Sequence, residues 1–264
     1  MKLAAALVLC DLSISGARAV ELKLETVQAF ERYIRGAEAR LDQSVSPGGK
    51  FLWTDEEPRR ADRVRQGRLV IENRAAPGAP GALAVPSGLI HDWIGAVFIP
   101  GVTLAKTLAL IQDYGHNQDN YKPEVLASHL VARKGNDFKV YLRLMKKKVI
   151  TVILDTDYDV RYFPLEGGRC YSRAYSTRIV EVENAGRPDE RLLPPGQDNG
   201  FLWRLYSYWR FQERDGGVYV ECEAISLTRG IPAGLGWLIQ PIVTTLPHES
   251  LENTLRETRA ALLK

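Results

Sequence analysis

The chain has 264 residues, 45% of them hydrophobic and 25% charged, with 35 basic and 32 acidic side chains giving a net charge of +3. That hydrophobic share supports a real core, and the near-balanced charge lacks the domain-wide basic excess of a nucleic-acid binder. Three cysteines in a chain of this length do not make a disulfide scaffold.

Met1-Lys2 supplies a short positive start, Leu3 to Leu9 is wholly apolar, and Ala17-Arg18-Ala19 forms a small-residue cleavage site. Residues 1–19 therefore read as a signal peptide, and the protein as exported, periplasmic or secreted. The apolar stretch ahead of Asp11 is too short to span a bilayer. Cys10 invites a lipoprotein reading, but Leu9 before it is too large for that cleavage site. Cleavage removes Lys2, Asp11 and Arg18, leaving a charge of +2 and two cysteines, Cys170 and Cys222.

Residues 21–42 follow as a helix, with Val27, Phe30, Ile34, Ala37 and Leu41 on one stripe, ended by Ser46-Pro47-Gly48-Gly49. Phe51-Leu52-Trp53 and Arg68-Leu69-Val70-Ile71 are short strand candidates on either side of a charged stretch. Ala75 to Ala82 has the composition of a linker. These features divide the mature chain into an N-terminal helical extension and linker, 20–82, and a main domain, 83–264.

From Val85 the pattern becomes β. Leu89 to Ile99 is the first strand, and Thr103 can cap a helix with Leu104, Leu108 and Ile111 on one face. Further strands are expected near 126–133, 137–146, 149–162, 170–183, 201–213 and 218–228. Gly135-Asn136, Glu166-Gly167-Gly168 and Asp215-Gly216-Gly217 supply tight turns between them. Phe138, Val140, Leu142 and Leu144 alternate with Lys139, Tyr141, Arg143 and Met145. Trp203, Leu205, Trp209 and Phe211 alternate with Arg204, Tyr206, Tyr208 and Arg210. This alternation predicts an antiparallel meander with one packed face and one wetter face. In that order a strand separates Cys170 from Cys222 by about 10 Å, beyond disulfide reach. Gly234 to Leu246 is apolar, with breaks expected at Pro241 and Pro247. Leu251, Leu255, Thr258 and Leu262 then mark a closing helix.

The strand running into Ile99-Pro100, the Asp113-Tyr114 to Pro123 loop, the meander and the Leu251-Glu252-Asn253-Thr254-Leu255 helix resemble, in that order, the START-like helix-grip fold of the SRPBCC superfamily. The resemblance covers residues 85–264 and is similar to an exported bacterial branch of polyketide-cyclase and lipid-transfer type. It implies an α+β domain in which an antiparallel sheet wraps a long C-terminal helix, with an apolar ligand between them. The N-terminal extension lies outside it.

On this basis Trp93, Phe98, Val140, Leu142, Leu144, Val152, Leu154, Trp203, Trp209 and Trp237 are candidate ligand contacts, and Tyr114, His116 and Tyr121 border the expected pocket mouth. Taken singly each apolar residue reads as core, and the resemblance is what implies a cavity for the set. Binding or transport of a lipid or isoprenoid is the leading function. A cyclase or hydrolase acting in the same cavity is the alternative, with only His91, Asp92, Tyr141 and Arg143 as polar candidates. A third reading is a filled core with a structural role. Adjacent residues on a strand point to opposite faces, so His91 and Asp92 do not form a dyad with each other. No histidine has metal-ligand spacing, and no P-loop, G-x-S-x-G or dinucleotide fingerprint is present, so neither a metal nor a cofactor is expected. Arg143 with Lys146-Lys147-Lys148 offers a transient membrane contact, although lysines also protect a sheet edge.

Overall fold

A computed structural model describes residues 21–75, 82–147, 151–230 and 236–264, with side chains in the last stretch given from Thr245 onward. The expected signal peptide, most of the linker, Lys148 and the Trp237 side chain lie outside the described residues.

Helix α1, Leu24–Val45, opens the fold and buries Phe30, Ile34, Ala37 and Leu41, the stripe read from the sequence. Phe51-Leu52-Trp53 is not a strand. It leads into a 3₁₀ turn, Trp53–Glu56, and the charged stretch after it forms α2, Pro58–Arg65, with proline in its first turn. The strands are β1 Val70–Asn73, β2 Leu83–Val85, β3 Gly88–Pro100, β4 Val125–Lys134, β5 Asp137–Lys147, β6 Thr151–Leu165, β7 Arg169–Glu183, β8 Arg191–Leu192, β9 Arg204–Arg214 and β10 Gly217–Arg229. Between β3 and β4 lie α3, Leu104–Ile111, and the short α4, Asn117–Asn120. Thr103 caps α3 by accepting a bond from the Lys106 amide.

The strands form one antiparallel sheet in the order β1-β3-β10-β9-β7-β6-β5-β4, with β2 on β3 and β8 on β7. The β9–β10 hairpin turns on Asp215 and Gly216, both at positive φ (56° and 74°), as a two-residue loop matched to strand twist demands. Cys170 is opposite Phe211 and Cys222 opposite Trp209. The two free thiols therefore flank β9, two strand spacings apart.

Helix α5, Gly236–Leu262, closes the chain and packs chiefly on β3, then β10 and α3. The expected breaks at Pro241 and Pro247 do not occur. Each proline removes only one backbone donor, and a long docked helix survives that loss. Leu251, Leu255, Thr258 and Leu262 are buried against the sheet. Gly95 makes the approach possible, because a Cβ there would stand 2.6 Å from Leu255 Cδ1. This is an α+β helix-grip fold, an antiparallel sheet packed on a long C-terminal helix.

The expected wetter face is wet only at one side of the sheet. Ile94, Ala96 and Phe98 of β3, Tyr208 of β9 and Ile225 of β10 form a second core with Phe30, Ile34 and Leu41 of α1. Val97, Ile99, Val220, Phe211 and Leu255 belong to the inner core. The central strands are thus buried on both faces, whereas β4 at the edge exposes Leu130 and Val131.

Leu255→Asp is expected to cost several kcal/mol, because it places an unpaired carboxylate in the tightest helix–sheet contact. Glu252→Ala, on the half-exposed side of the same helix, should stay within about 0.5 kcal/mol. Chemical denaturation of the two variants checks this, and equal midpoints would mean that α5 does not grip the sheet.

Candidate ligand cavity

A cavity of about 590 Å³ lies between α5 and the inner faces of β5, β6, β7, β9 and β10. Its walls are mostly aliphatic and aromatic: Val140, Leu142 and Leu144 from β5, Val152, Leu154, Tyr158, Val160 and Tyr162 from β6, Leu205 and Trp209 from β9, and Leu246, Pro247 and Leu251 from α5. Alternation explains the set, since every second residue of β5 and of β6 faces the helix.

One end is closed by the segment after α3. Tyr114 is buried and shares a 2.7 Å hydrogen bond with the Tyr162 hydroxyl, and Tyr121 shares one of 3.1 Å with Thr258 Oγ1. Burial pushes the Tyr121 and Tyr158 phenols up to about 12, so both are neutral at pH 7. The expected mouth between Tyr114 and Tyr121 is therefore a wall. His116 stands outside it in solvent, 2.9 Å from Asp113, whose hydrogen bond and charge raise its pKa. Phe201, 38% exposed, is the most exposed large apolar residue of the lining and marks the opposite, more open end. On that side Lys146 pairs with Glu124 and donates to Ser250 Oγ at 2.8 Å.

Of the apolar residues read from the sequence as contacts, Val140, Leu142, Leu144, Val152, Leu154 and Trp209 line the cavity, as do Tyr114 and Tyr121. Three do not. Phe98 has the wrong parity on β3 and packs on Tyr219 in the outer core, with ring centroids 4.7 Å apart. Trp203 precedes the first residue of β9, so strand alternation does not reach it, and its ring joins the outer core. Trp93 faces inward but lies under α5, edge-on to His248 at 4.9 Å.

Sequence reading by large apolar side chains passed over the residues that make the space. Inward positions of β10 are Cys222, Ala224, Ser226 and Thr228, those of β7 include Ser172 and Ala174, and β9 contributes Ser207. Small side chains at consecutive inward positions are the sequence signal for a hollow core.

The four polar candidates do not converge. His91 is fully buried on the inner side, its Nε2 3.1 Å from Thr228 Oγ1, and burial lowers its pKa to about 4. Asp92 faces the other way, beneath α1, where it accepts the Tyr33 hydroxyl at 2.8 Å. Burial, and then the neighbouring Glu223, push its carboxyl up to about 8, while Arg74 and Arg40 oppose the shift. Tyr141 and Arg143 lie on the outer face and both bond Asp155, at 2.7 Å each. Arg143 also reaches Glu190, and Lys146 turns to the cavity, so the basic cluster is not one patch. Among the described residues no group of histidines, cysteines and carboxylates has the arrangement of a metal site, and no helix is long and apolar enough to cross a membrane.

No protein-family model matches the sequence, and no curated protein matches it significantly. Solved structures with a similar chain include a STAR-related lipid transfer protein fragment from Xanthomonas axonopodis, 19% identical over 70% of this chain and 98% of that one, with a TM-score of 0.46. An aromatase/cyclase from Streptomyces is 8% identical over 66% and 94% of the two chains, with a TM-score of 0.45. A START superfamily protein from Mycobacterium smegmatis is 8% identical over 65% and 97%, with a TM-score of 0.42. The fold assignment rests on this chain's own strand order and helix packing.

Asp92 carries a testable pH signature. Its folded pKa of about 8 lies above the usual value of 3.8, so the folded state holds a proton that the unfolded chain releases. Its contribution to stability is therefore full below pH ~4 and is lost as pH rises toward 8. Asp92→Asn should flatten that decline, gaining on the wild type most at pH 8. Melting curves of both proteins from pH 5 to 8 check this, and parallel curves would refute it.

Proposed function

We propose that the protein binds an apolar small molecule, such as a lipid or isoprenoid, in the cavity between the sheet and α5, and carries it shielded from water. The space of about 590 Å³ beneath a docked helix, open at one end, is the observation that carries this reading. It has the size and the predominantly apolar lining of a small-molecule site. A filled core, the structural alternative, would leave no such volume, because well-packed interiors hold few voids larger than a water. Affinity would come from burying ligand surface at about 25 cal/mol per Å². We further propose, from the signal-peptide pattern of residues 1–19, that this carrier acts beyond the cytoplasmic membrane.

Extraction of the purified protein with organic solvent, together with native mass spectrometry, should reveal a co-purifying apolar compound. Ala224→Phe projects a ring into the space from β10. It should abolish uptake of a fluorescent fatty acid while leaving the melting temperature nearly unchanged, since the ring enters a void. In a full core the same change would cost about 1–3 kcal/mol. Unfolding of the variant together with no uptake by the parent would refute the carrier reading.

A further inference from the structure

On the face of the sheet away from the cavity, Asp92 and Glu223 bring two carboxyl groups to the seam beneath α1, and they share the nearby cations unequally. Glu223, on β10, is 3.2 Å from Arg40 of α1 and 3.7 Å from Arg74, which follows β1. Asp92, on β3, has the same Arg40 nitrogen at 3.5 Å and the Tyr33 hydroxyl at 2.8 Å, both on Oδ2. Its Oδ1 has no hydrogen-bond partner among the described residues, and its side chain is 0% exposed. The other polar groups of the seam are engaged elsewhere. Tyr208 of β9, opposite Glu223, and Tyr175 of β7 both donate to Glu38 of α1, and Arg210 faces Glu221.

A buried carboxyl with one oxygen orphaned is costly as a charge and far less so as a neutral acid. The pKa of about 8 that burial, and then Glu223, give Asp92 agrees with this geometry. Tyr33 and Arg40 both belong to α1, so lifting the helix would return Asp92 to water, where its carboxylate ionises normally.

The helix has a place to pivot. Ser46-Pro47-Gly48-Gly49 follow it, with Gly48 at a φ of 81°. Just beyond, the Trp53 and Thr54 amides stay tied to Glu221 at 2.8 and 2.9 Å. Helix α1 can thus leave its seat without moving the turn that comes next.

We propose that α1 is a proton-dependent strap: an uncharged Asp92 lets it seat on the outer face of the sheet, and loss of that proton loosens it locally while the sheet stays folded. This holds whatever the cavity contains. The seated state keeps a proton that the open state releases, so opening is rarest in acid. It grows as pH rises from about 4 toward 8, by up to about tenfold per pH unit. Phe30, Ile34, Ala37 and Leu41 still hold the helix, so the open form stays a minority and hydrogen exchange is the measurement that reads it.

Amide exchange of the purified protein, followed by mass spectrometry at about pH 6 and 7.5 and corrected for intrinsic rates, compares opening of α1 with opening of β9 and β10. Opening of α1 should rise up to about thirtyfold between the two conditions, and that of the strands far less. Asp92→Asn should hold α1 near its acid value at both. Should that variant not fold, Glu223→Gln serves instead, because it frees Arg40 and Arg74 for Asp92 and should shrink the rise severalfold. Helix and strands opening in step, an α1 indifferent to pH, or a rise that survives the substitution would each overturn the strap.

Discussion

Helix α5 rests on β3 at a position that has no side chain. With Gly95 beneath Leu255, the helix comes closer to the sheet than any other residue would allow, and Leu251 settles against the same spot. Other contacts hold this part of the helix down. Lys106 on α3 donates to the Leu262 carbonyl at 2.8 Å, and Arg259 donates to the Gly67 carbonyl at 2.7 Å. A helix anchored on β3 and β10 at one side of the sheet stands off the strands at the other. The cavity over β9, β7, β6 and β5 follows from this lopsided docking.

The opposite face of the same central strands is held by α1 and the turn after it, and polar groups do much of the holding. Glu221, fully buried on β10, accepts the Trp53 and Thr54 amides at 2.8 and 2.9 Å and faces Arg210 at 3.2 Å. Glu223 is met by Arg40 at 3.2 Å and Arg74 at 3.7 Å, and Glu38 of α1 accepts the Tyr175 and Tyr208 hydroxyls. Breaking buried pairs of this kind is strongly destabilising even where forming them gains little, because one charge is left without compensation. The N-terminal helix is therefore bound to the integrity of the sheet.

Much of this was legible in the sequence, and the misses have physical causes. The stripe of α1, the Thr103 cap, the meander order and the β5 and β6 walls follow from periodicity and turn chemistry, which are local properties. Phe51 to Trp53 looked like a strand because three consecutive large apolar residues suit any buried segment, and only their packing under α1 decides the form. Phe98 has outward parity on β3 and Trp203 lies before β9 begins, so both side chains join the outer core. The covering of the outer face is not readable, because Asp92, Glu221 and Glu223 look like solvent-facing residues until Tyr33 and Arg40 of α1 and the Trp53 and Thr54 amides after it supply partners. Nor is the cavity itself visible in the large residues, since it is drawn by Ser172, Ala174, Ser207, Ala224 and Ser226.

Small side chains make space only if the backbone around them cannot move in to fill it. Around most engineered voids partial relaxation recovers part of the lost packing, which is why the cost of a cavity varies with how well its site can collapse. Here the floor strands cannot shift toward α5 without pulling Ile94, Tyr208 and Ile225 out of the second core and Glu221 away from its amide donors. The outer layer thus resists collapse of the inner one. That links the two halves of the molecule: the buried ionic contacts beneath α1 lie on the opposite face of the sheet from the cavity lining, and they stiffen the strands that keep it open.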